Sequence, residues 1–154
     1  LSKIKSSISY IQTNNLVANS IINYFFESYH AVIKFNIDGL FPNNLFIENT
    51  DLCVILSNVL KNAIESALQT SSPSILLRIF ANDAYATIYV ENSSKEYSQT
   101  FLSDLKTTKD DIINHGFGLK NITNVVEKYY GNLDLEYKNR IFYTRIYLNN
   151  INQF

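Results

Sequence analysis

The sequence is poor in the residues that mark several special classes of protein. It has one cysteine, Cys53, in 154 residues, which excludes a disulfide framework and a cysteine-rich metal site. No apolar run approaches the roughly 20 residues of a membrane-spanning helix, and no signal peptide is visible. The formal net charge of −1 gives no indication that nucleic acid or an anionic membrane surface is a partner.

The composition is that of an ordinary globular domain. Apolar residues make up 46% of the chain and charged residues 18%, and the length suits one domain with a substantial core. We predict this domain over residues 16–154, with the polar residues 1–15 as a linker or the end of an upstream dimerisation helix. Because the chain begins at Leu1 rather than at methionine, we expect a fragment of a longer protein.

The clearest pattern is an amphipathic helix between Leu52 and Leu68, where apolar residues recur at helical spacing. No glycine or proline interrupts it, and Thr50 or Asn49 is the expected N-cap. Cys53 falls on the apolar arc, so we expect it to be a reduced core residue.

Asn58, Asn62 and Glu65 stack along the opposite side of this helix. Asparagine is a mediocre helix former, so two of them one turn apart are an unusual choice for a solvated face. Taken alone, however, a solvated face is the commoner explanation of such a pair. The helix therefore becomes informative only together with the rest of the chain.

Periodicity and turn residues predict the other elements. We expect helices over 16–30 and 119–130, and strands over 32–37, 74–81, 84–91, 133–137 and 141–148. Gly131 is the expected C′ residue of the last helix. Residues 93–115 lack periodicity, which is typical of a functional lid or of disorder. The order of elements predicts an α/β sandwich with helices packed on one face of a sheet.

Two short motifs have residue types that suit a phosphorylated ligand. Gly116-Phe117-Gly118 directly precedes a predicted helix, where glycines allow close approach and the helix N-terminus favours an anion. Asn92 follows a predicted strand, where a short polar side chain can contact a base. A plain glycine-containing loop and a turn residue are the alternatives when each motif is taken alone.

Taken together and in order, these motifs resemble a known family. NVLKNAIESA, V-x-N after a strand, and TTK followed by NHGFGLKNI resemble the N box, the adenine-contact position and the G2 box of the GHKL ATPases. The match is best to the ATP-binding domain of Agr-type quorum-sensing sensor histidine kinases. The resemblance implies a Bergerat fold: a two-layer α/β sandwich whose mixed sheet is covered on one face by helices, with a long ATP lid.

The resemblance also implies a set of ATP and Mg²⁺ ligands. Asn62 matches the asparagine that coordinates Mg²⁺, for which an amide oxygen is a suitable ligand. Asn58 matches a position where gyrase- and MutL-like ATPases have a catalytic glutamate, and asparagine cannot act as a general base. This difference favours phosphotransfer to histidine over hydrolysis, and no residue of the chain is assigned a catalytic role. The remaining implied ATP-binding residues are Asn92, Lys109, His115, Gly116, Gly118, Leu119 and Lys120.

The sequence departs from the family pattern in the first glycine box. Asn92 replaces the adenine-reading aspartate, and Ser93 and Ser94 replace the glycine context, so we expect modest ATP affinity. Asn114 replaces the first G2 glycine, and Glu65 stands where many kinases have a phosphate-facing lysine. A nucleotide-free scaffold with a Bergerat-like fold is therefore the alternative function.

The resemblance further implies partners that lie outside this chain. Neither His30 nor His115 has the surroundings of a phosphoacceptor, so the acceptor histidine is expected on a separate dimerisation domain. A response regulator is the expected downstream partner. By resemblance alone, the chain is expected to be the cytoplasmic domain of an integral membrane receptor, with no membrane segment in this part.

Overall fold

A computed structural model describes residues 11–98 and 117–152. In these ranges the chain forms three helices and five strands. Along the chain they are α1 (Leu16–Tyr29), β1 (Lys34–Leu40), α2 (Asn49–Ala67), β2 (Ser74–Ala81), β3 (Tyr85–Ser93), α3 (Phe117–Lys128), β4 (Asn132–Lys138) and β5 (Ile141–Asn149). No helix within the described ranges is both long and apolar enough to cross a membrane.

The strands form one mixed sheet in the order β1-β2-β3-β5-β4. β1 and β2 are parallel, whereas the other neighbouring strands pair antiparallel. Alternate residues of β2, β3 and β5 are buried, as expected for a sheet that is covered on one face only. This arrangement confirms the predicted α/β sandwich with helices on one side.

The buried face of α2 forms the centre of the core. Seven apolar residues predicted to share an arc are buried together with Ile55; they are Leu52, Leu56, Val59, Leu60, Ala63, Ile64 and Ala67. α2 packs against α1, α3 and the inner face of the sheet. The polar side of α2 carries Asn58 and Asn62, which these contacts do not bury.

Cys53 is exposed, so the prediction that it lies in the core is wrong. Helical periodicity places it within about 20° of the buried Leu60, seven residues later. Periodicity gives the direction of a side chain but not the length of the neighbouring element that covers it. At this end of α2 the packing covers Leu52, Ile55 and Leu56 but not the side on which Cys53 lies.

Both predicted cap residues also differ from the structure. α2 begins at Asn49 with Glu48 as its N-cap, and the Glu48 side chain makes no capping hydrogen bond. After α3, Tyr130 rather than Gly131 adopts the left-handed conformation, with φ of 49°. The Gly131 N–H then donates to Val126 O, which closes the helix end. Gly131 is required for a different reason, since a Cβ there would lie 2.0 Å from the carbonyl oxygen of Tyr147.

Candidate functional site

The polar side of α2 presents two asparagines with different surroundings. Asn58 is half-buried, and its Nδ2 donates to the Val54 carbonyl one turn earlier at 2.7 Å. Asn62 is exposed, and its amide makes no hydrogen bond within the described part of the chain. Asn58 is thus held in place by its own helix, whereas both polar atoms of Asn62 are available to a ligand.

The first turn of α3 lies directly against these two side chains. A Cβ placed on Gly118 would lie 3.1 Å from Asn58 Oδ1 and 3.5 Å from both Asn62 Oδ1 and Asn62 Nδ2. A larger residue would therefore push Asn58 Oδ1 by a few tenths of an ångström and would fill the space beside Asn62. α3 begins at Phe117, so its N-terminal turn, where backbone N–H groups point along the helix axis, lies beside the two asparagines.

A cavity opens between α2, the first turns of α3 and the inner face of the sheet. It is lined by Val59, Asn62, Ala63, Ser66, Asn92, Tyr97, Gly118, Leu119, Ile122, Phe142 and Thr144. None of these residues carries a formal charge. Apolar walls with a few amide and hydroxyl groups suit a flat, neutral heterocycle better than an ion.

Asn92 is the buried polar group at the sheet side of this cavity. It is 4% exposed, and its Nδ2 donates to the backbone carbonyl of Ser93 at 2.9 Å. This bond leaves Oδ1 as a hydrogen-bond acceptor with no partner among the described residues. The side chain therefore presents an uncharged hydrogen-bond acceptor, Asn92 Oδ1, to the cavity.

Ser94 follows on the same side of the chain as Asn92. It is 2% exposed, and its Oγ is the buried side-chain polar atom in the described ranges that has no hydrogen-bond partner. Its backbone N–H donates to Arg140 O at 2.9 Å. An unpaired buried hydroxyl lowers the stability of the fold. The stability of the fold therefore does not explain why a serine occupies this position.

Comparison with known proteins identifies the family. The family model described as the GHKL domain matches residues 47–149, about two thirds of the chain. The chain belongs to the GHKL domain family. No protein of curated function matches this GHKL domain.

Solved structures with the same fold include several histidine kinase domains. The nucleotide-free catalytic domain of histidine kinase ThkA is 18% identical, with 90% of this chain and 94% of that chain covered and a TM-score of 0.65. The mycobacterial sensor histidine kinase MprB is 14% identical, with 86% and 93% covered and a TM-score of 0.63. A histidine kinase domain from Erythrobacter litoralis EL346 is 13% identical, with 92% and 64% covered and a TM-score of 0.62. At such identities the likeness shows the fold alone.

Of the site residues predicted for this GHKL domain, five line the cavity or its rim. Asn62, Asn92, Gly118 and Leu119 line it, and Asn58 lies at the rim against Gly118. Lys120 is exposed in the first turns of α3 and is not among the lining residues. Lys109, His115 and Gly116 lie outside the described residues.

Glu65 does not face the cavity. Its carboxylate is 4.0 Å from the Lys61 ammonium one turn earlier, and both side chains are largely exposed. An exposed pair at this distance contributes little to stability. Glu65 is exposed on the solvent side of α2 and is not among the residues that line the cavity.

Several lining residues on the sheet and beyond it were not predicted from the sequence. Phe142 and Thr144 lie on β5 opposite Asn92 and Val90 of β3. Alternation along the last strand gave their direction, but no local signal specified that this strand pairs with β3. Tyr97 was missed because it lies in the aperiodic stretch after β3.

The two helices that form the site are joined at their far ends by Tyr129. Its ring is buried, its hydroxyl donates to Asp51 Oδ2 at 2.7 Å, and the Glu48 N–H donates to it at 2.8 Å. Burial, assisted by the hydrogen bond to Asp51, raises the pKa of Tyr129 to about 12. Lys128 also contacts Asp51 at 2.7 Å, and this bond raises the lysine pKa.

Proposed function

We propose that this GHKL domain is the catalytic ATP-binding domain of a sensor histidine kinase. The close approach of Gly118 to Asn58 and Asn62, at the mouth of a neutral cavity that contains Asn92, is the observation that carries the proposal. This arrangement brings together three motifs that are far apart in the sequence. A nucleotide-free scaffold needs neither an unpaired Asn62 amide nor a glycine opposite it.

The cavity suits the adenine of ATP. Asn92 Oδ1 would accept a hydrogen bond from the adenine amino group, because its own Nδ2 is committed to the Ser93 carbonyl. A neutral acceptor is weaker than the carboxylate of an aspartate. We therefore expect modest affinity, with the triphosphate supplying a substantial part of the binding free energy.

The first turn of α3 would hold the phosphates. The N–H groups at a helix N-terminus and the positive end of the helix dipole favour an anion, and Gly118 lets the ligand come close to the backbone. We also propose Gly116, Leu119 and His115 as contacts of the same nucleotide. Lys109 and Lys120 are proposed to neutralise phosphate charge.

The residues present fit a magnesium ion that the nucleotide itself largely coordinates. The Asn62 oxygen is a hard ligand that has no competing hydrogen bond among the described residues, and it lies beside the proposed phosphate site. No group of three acidic, histidine or cysteine side chains suited to a metal occurs in the described ranges. When bound, Mg²⁺ would neutralise charge on the phosphates, and Asn62 would orient the complex.

The proposed reaction is transfer of the γ-phosphoryl group of ATP to an imidazole nitrogen of histidine. The bond from the γ-phosphorus to the oxygen of ADP breaks, a P–N bond forms, and the imidazole proton passes to solvent. Asn58 cannot accept a proton, and its amide is tied to Val54. The domain thus contributes position and charge stabilisation and leaves nucleophilicity to the acceptor.

The finer assignments rest on the sequence motifs. We propose that the domain belongs to an Agr-type, quorum-sensing kinase, that the acceptor histidine lies on a dimerisation domain, and that a response regulator receives the phosphoryl group. A cytoplasmic location in a membrane receptor is part of the same proposal. The match of NVLKNAIESA and NHGFGLKNI to that family supports these statements.

The kinase activity is tested in the intact protein with γ-labelled ATP. We expect a label that is stable to base and labile to acid, as phosphohistidine is, and we expect Asn62→Ala to abolish it without changing thermal unfolding. Asn124→Ala, at an exposed position of α3 outside the cavity, is the matched control and should keep the label. Equal labelling in Asn62→Ala, or an acid-stable label, would contradict the proposal.

A further inference from the structure

The segment between β3 and the undescribed residues 99–116 places an aromatic ring at the cavity. Tyr97 is half-buried and lines the same cavity as Asn92. On the basis of the proposed function, we infer that the Tyr97 ring stacks on the nucleobase and that the β4–β5 hairpin positions it. Tyr97 is thus a base-binding residue, and Tyr137 is a positioning residue.

The hairpin holds the backbone around Tyr97 through one hydroxyl. Tyr137 Oη accepts a hydrogen bond from the Tyr97 N–H at 3.4 Å and donates to the Lys95 carbonyl at 3.2 Å. The two rings also pack in a T-shaped contact, with centroids 5.1 Å apart and planes at 82°. One side chain of β4 therefore contacts both the backbone and the ring of Tyr97.

The tip of the hairpin adds two further contacts to the same segment. Arg140 Nη2 lies 2.7 Å from Glu96 Oε2, and the Arg140 carbonyl accepts the Ser94 N–H at 2.9 Å. The ion pair is exposed and contributes little by itself. Together with the Tyr137 hydroxyl, these contacts tie residues 94–97 to β4 and β5, so the ring is placed before a ligand arrives. Pre-placement lowers the entropic cost of stacking.

The chemistry of the cavity favours stacking as a source of base affinity. Its described lining residues are uncharged, and Asn92 offers the base one neutral acceptor. An aromatic ring contributes to binding through the π-face of the base without needing charge. The Tyr97 ring also lies beneath the Lys95 ammonium, which is 5.6 Å from the ring centroid. Phe142 also lines the cavity and is the competing candidate for this role.

Titration of the chain with ATP and with inorganic tripolyphosphate separates the contribution of the base to binding from that of the phosphates. In Tyr97→Leu we expect the ATP dissociation constant to rise roughly tenfold, within the range measured for loss of a base–aromatic stack, and the tripolyphosphate constant to stay unchanged. Tyr97→Phe keeps the ring and should bind ATP within about twofold of wild type. Unchanged tripolyphosphate binding also shows that the variant is folded.

The positioning role is tested with Tyr137→Phe, which removes the hydroxyl and keeps the ring. We expect the ATP dissociation constant to rise by less than it does in Tyr97→Leu, and we expect the tripolyphosphate dissociation constant to stay unchanged. Tyr130→Phe, at a residue that is 76% exposed, is the matched control. The adenine H2 and H8 resonances should shift upfield on binding to wild type and to Tyr97→Phe, but much less on binding to Tyr97→Leu.

The outcomes distinguish this inference from the proposed function. If wild type binds ATP but Tyr97→Leu binds it equally well, the stacking inference is overturned and the nucleotide site stands. The same holds if Phe142→Leu, rather than Tyr97→Leu, removes the upfield shift. If folded wild type binds neither ATP nor tripolyphosphate, the proposed function fails and the inference fails with it.

Discussion

Replacing Tyr129 with phenylalanine removes one hydroxyl that joins the first turn of α2 to the end of α3. The ring of Tyr129 is 2% exposed and stays in the core after this change. The hydroxyl donates to the Asp51 carboxylate at 2.7 Å and accepts the Glu48 N–H at 2.8 Å. Both bonds are lost in the variant, and no other acceptor is recorded for the Glu48 N–H.

The expected loss of stability follows from these two hydrogen bonds. A hydrogen bond to a charged group contributes about 1.5–3 kcal/mol, and Asp51 keeps its contact with Lys128 when Tyr129 is changed. We therefore expect Tyr129→Phe to lower the free energy of unfolding by about 2–3 kcal/mol. For a chain of this length, that corresponds to a fall in Tm of roughly 5–10 °C.

The effect has a defined pH dependence. The folded pKa of Tyr129 is about 12, above the unfolded value near 10, so the bonds contribute fully below pH 10. As the pH rises from 10 to 12, the unfolded state loses this proton first, and the contribution of the hydroxyl declines. The difference between wild type and Tyr129→Phe should therefore shrink in that window.

Urea unfolding followed by circular dichroism measures both quantities. Tyr130→Phe, one residue later and 76% exposed, controls for the loss of a tyrosine hydroxyl and should change stability by less than about 0.5 kcal/mol. If Tyr129→Phe is as stable as Tyr130→Phe at neutral pH, or if its deficit grows above pH 10, the role given to the hydroxyl is wrong.

Two further substitutions separate stability from ligand binding. In Gly118→Ala the new Cβ would lie 3.1 Å from Asn58 Oδ1, so we expect weaker ATP binding by calorimetry. The better helix propensity of alanine should keep the free energy of unfolding within about 1 kcal/mol of wild type. Ser94→Ala removes a buried hydroxyl that has no partner, so a thermal melt of the ligand-free protein should show equal or higher Tm. A Tm lowered by several degrees would mean that Ser94 Oγ has a partner after all.

The sequence was sufficient to predict the elements and the fold class for a physical reason. The long apolar arc of α2 and the alternation in β2 and β3 are strong periodic signals, and they specify a helical layer on one sheet face. The two asparagines were identified because asparagine is a poor helix former on that face. Their meeting with Gly118 could be expected only from the resemblance, because nothing local to either motif encodes the contact.

The features that the sequence did not predict depend on long-range packing. The N-cap of α2 is supported by Tyr129, 81 residues away from Glu48. Cys53 is exposed because the elements that cover Leu52 and Leu56 in the first turns of α2 leave its side of the helix uncovered. Tyr97 lines the cavity, and its backbone N–H donates to the hydroxyl of Tyr137, 40 residues later. None of these contacts leaves a periodic or compositional trace in the chain.

The most direct test of the nucleotide site is a calorimetric titration of the chain with ATP, with and without Mg²⁺. The proposed role of Asn62 predicts that wild type and Asn124→Ala bind ATP more tightly when Mg²⁺ is present and that Asn62→Ala loses this Mg²⁺-dependent increase. Identical Mg²⁺ dependence in Asn62→Ala would contradict the metal assignment. Absence of binding by folded wild type at millimolar ATP would contradict the nucleotide site itself.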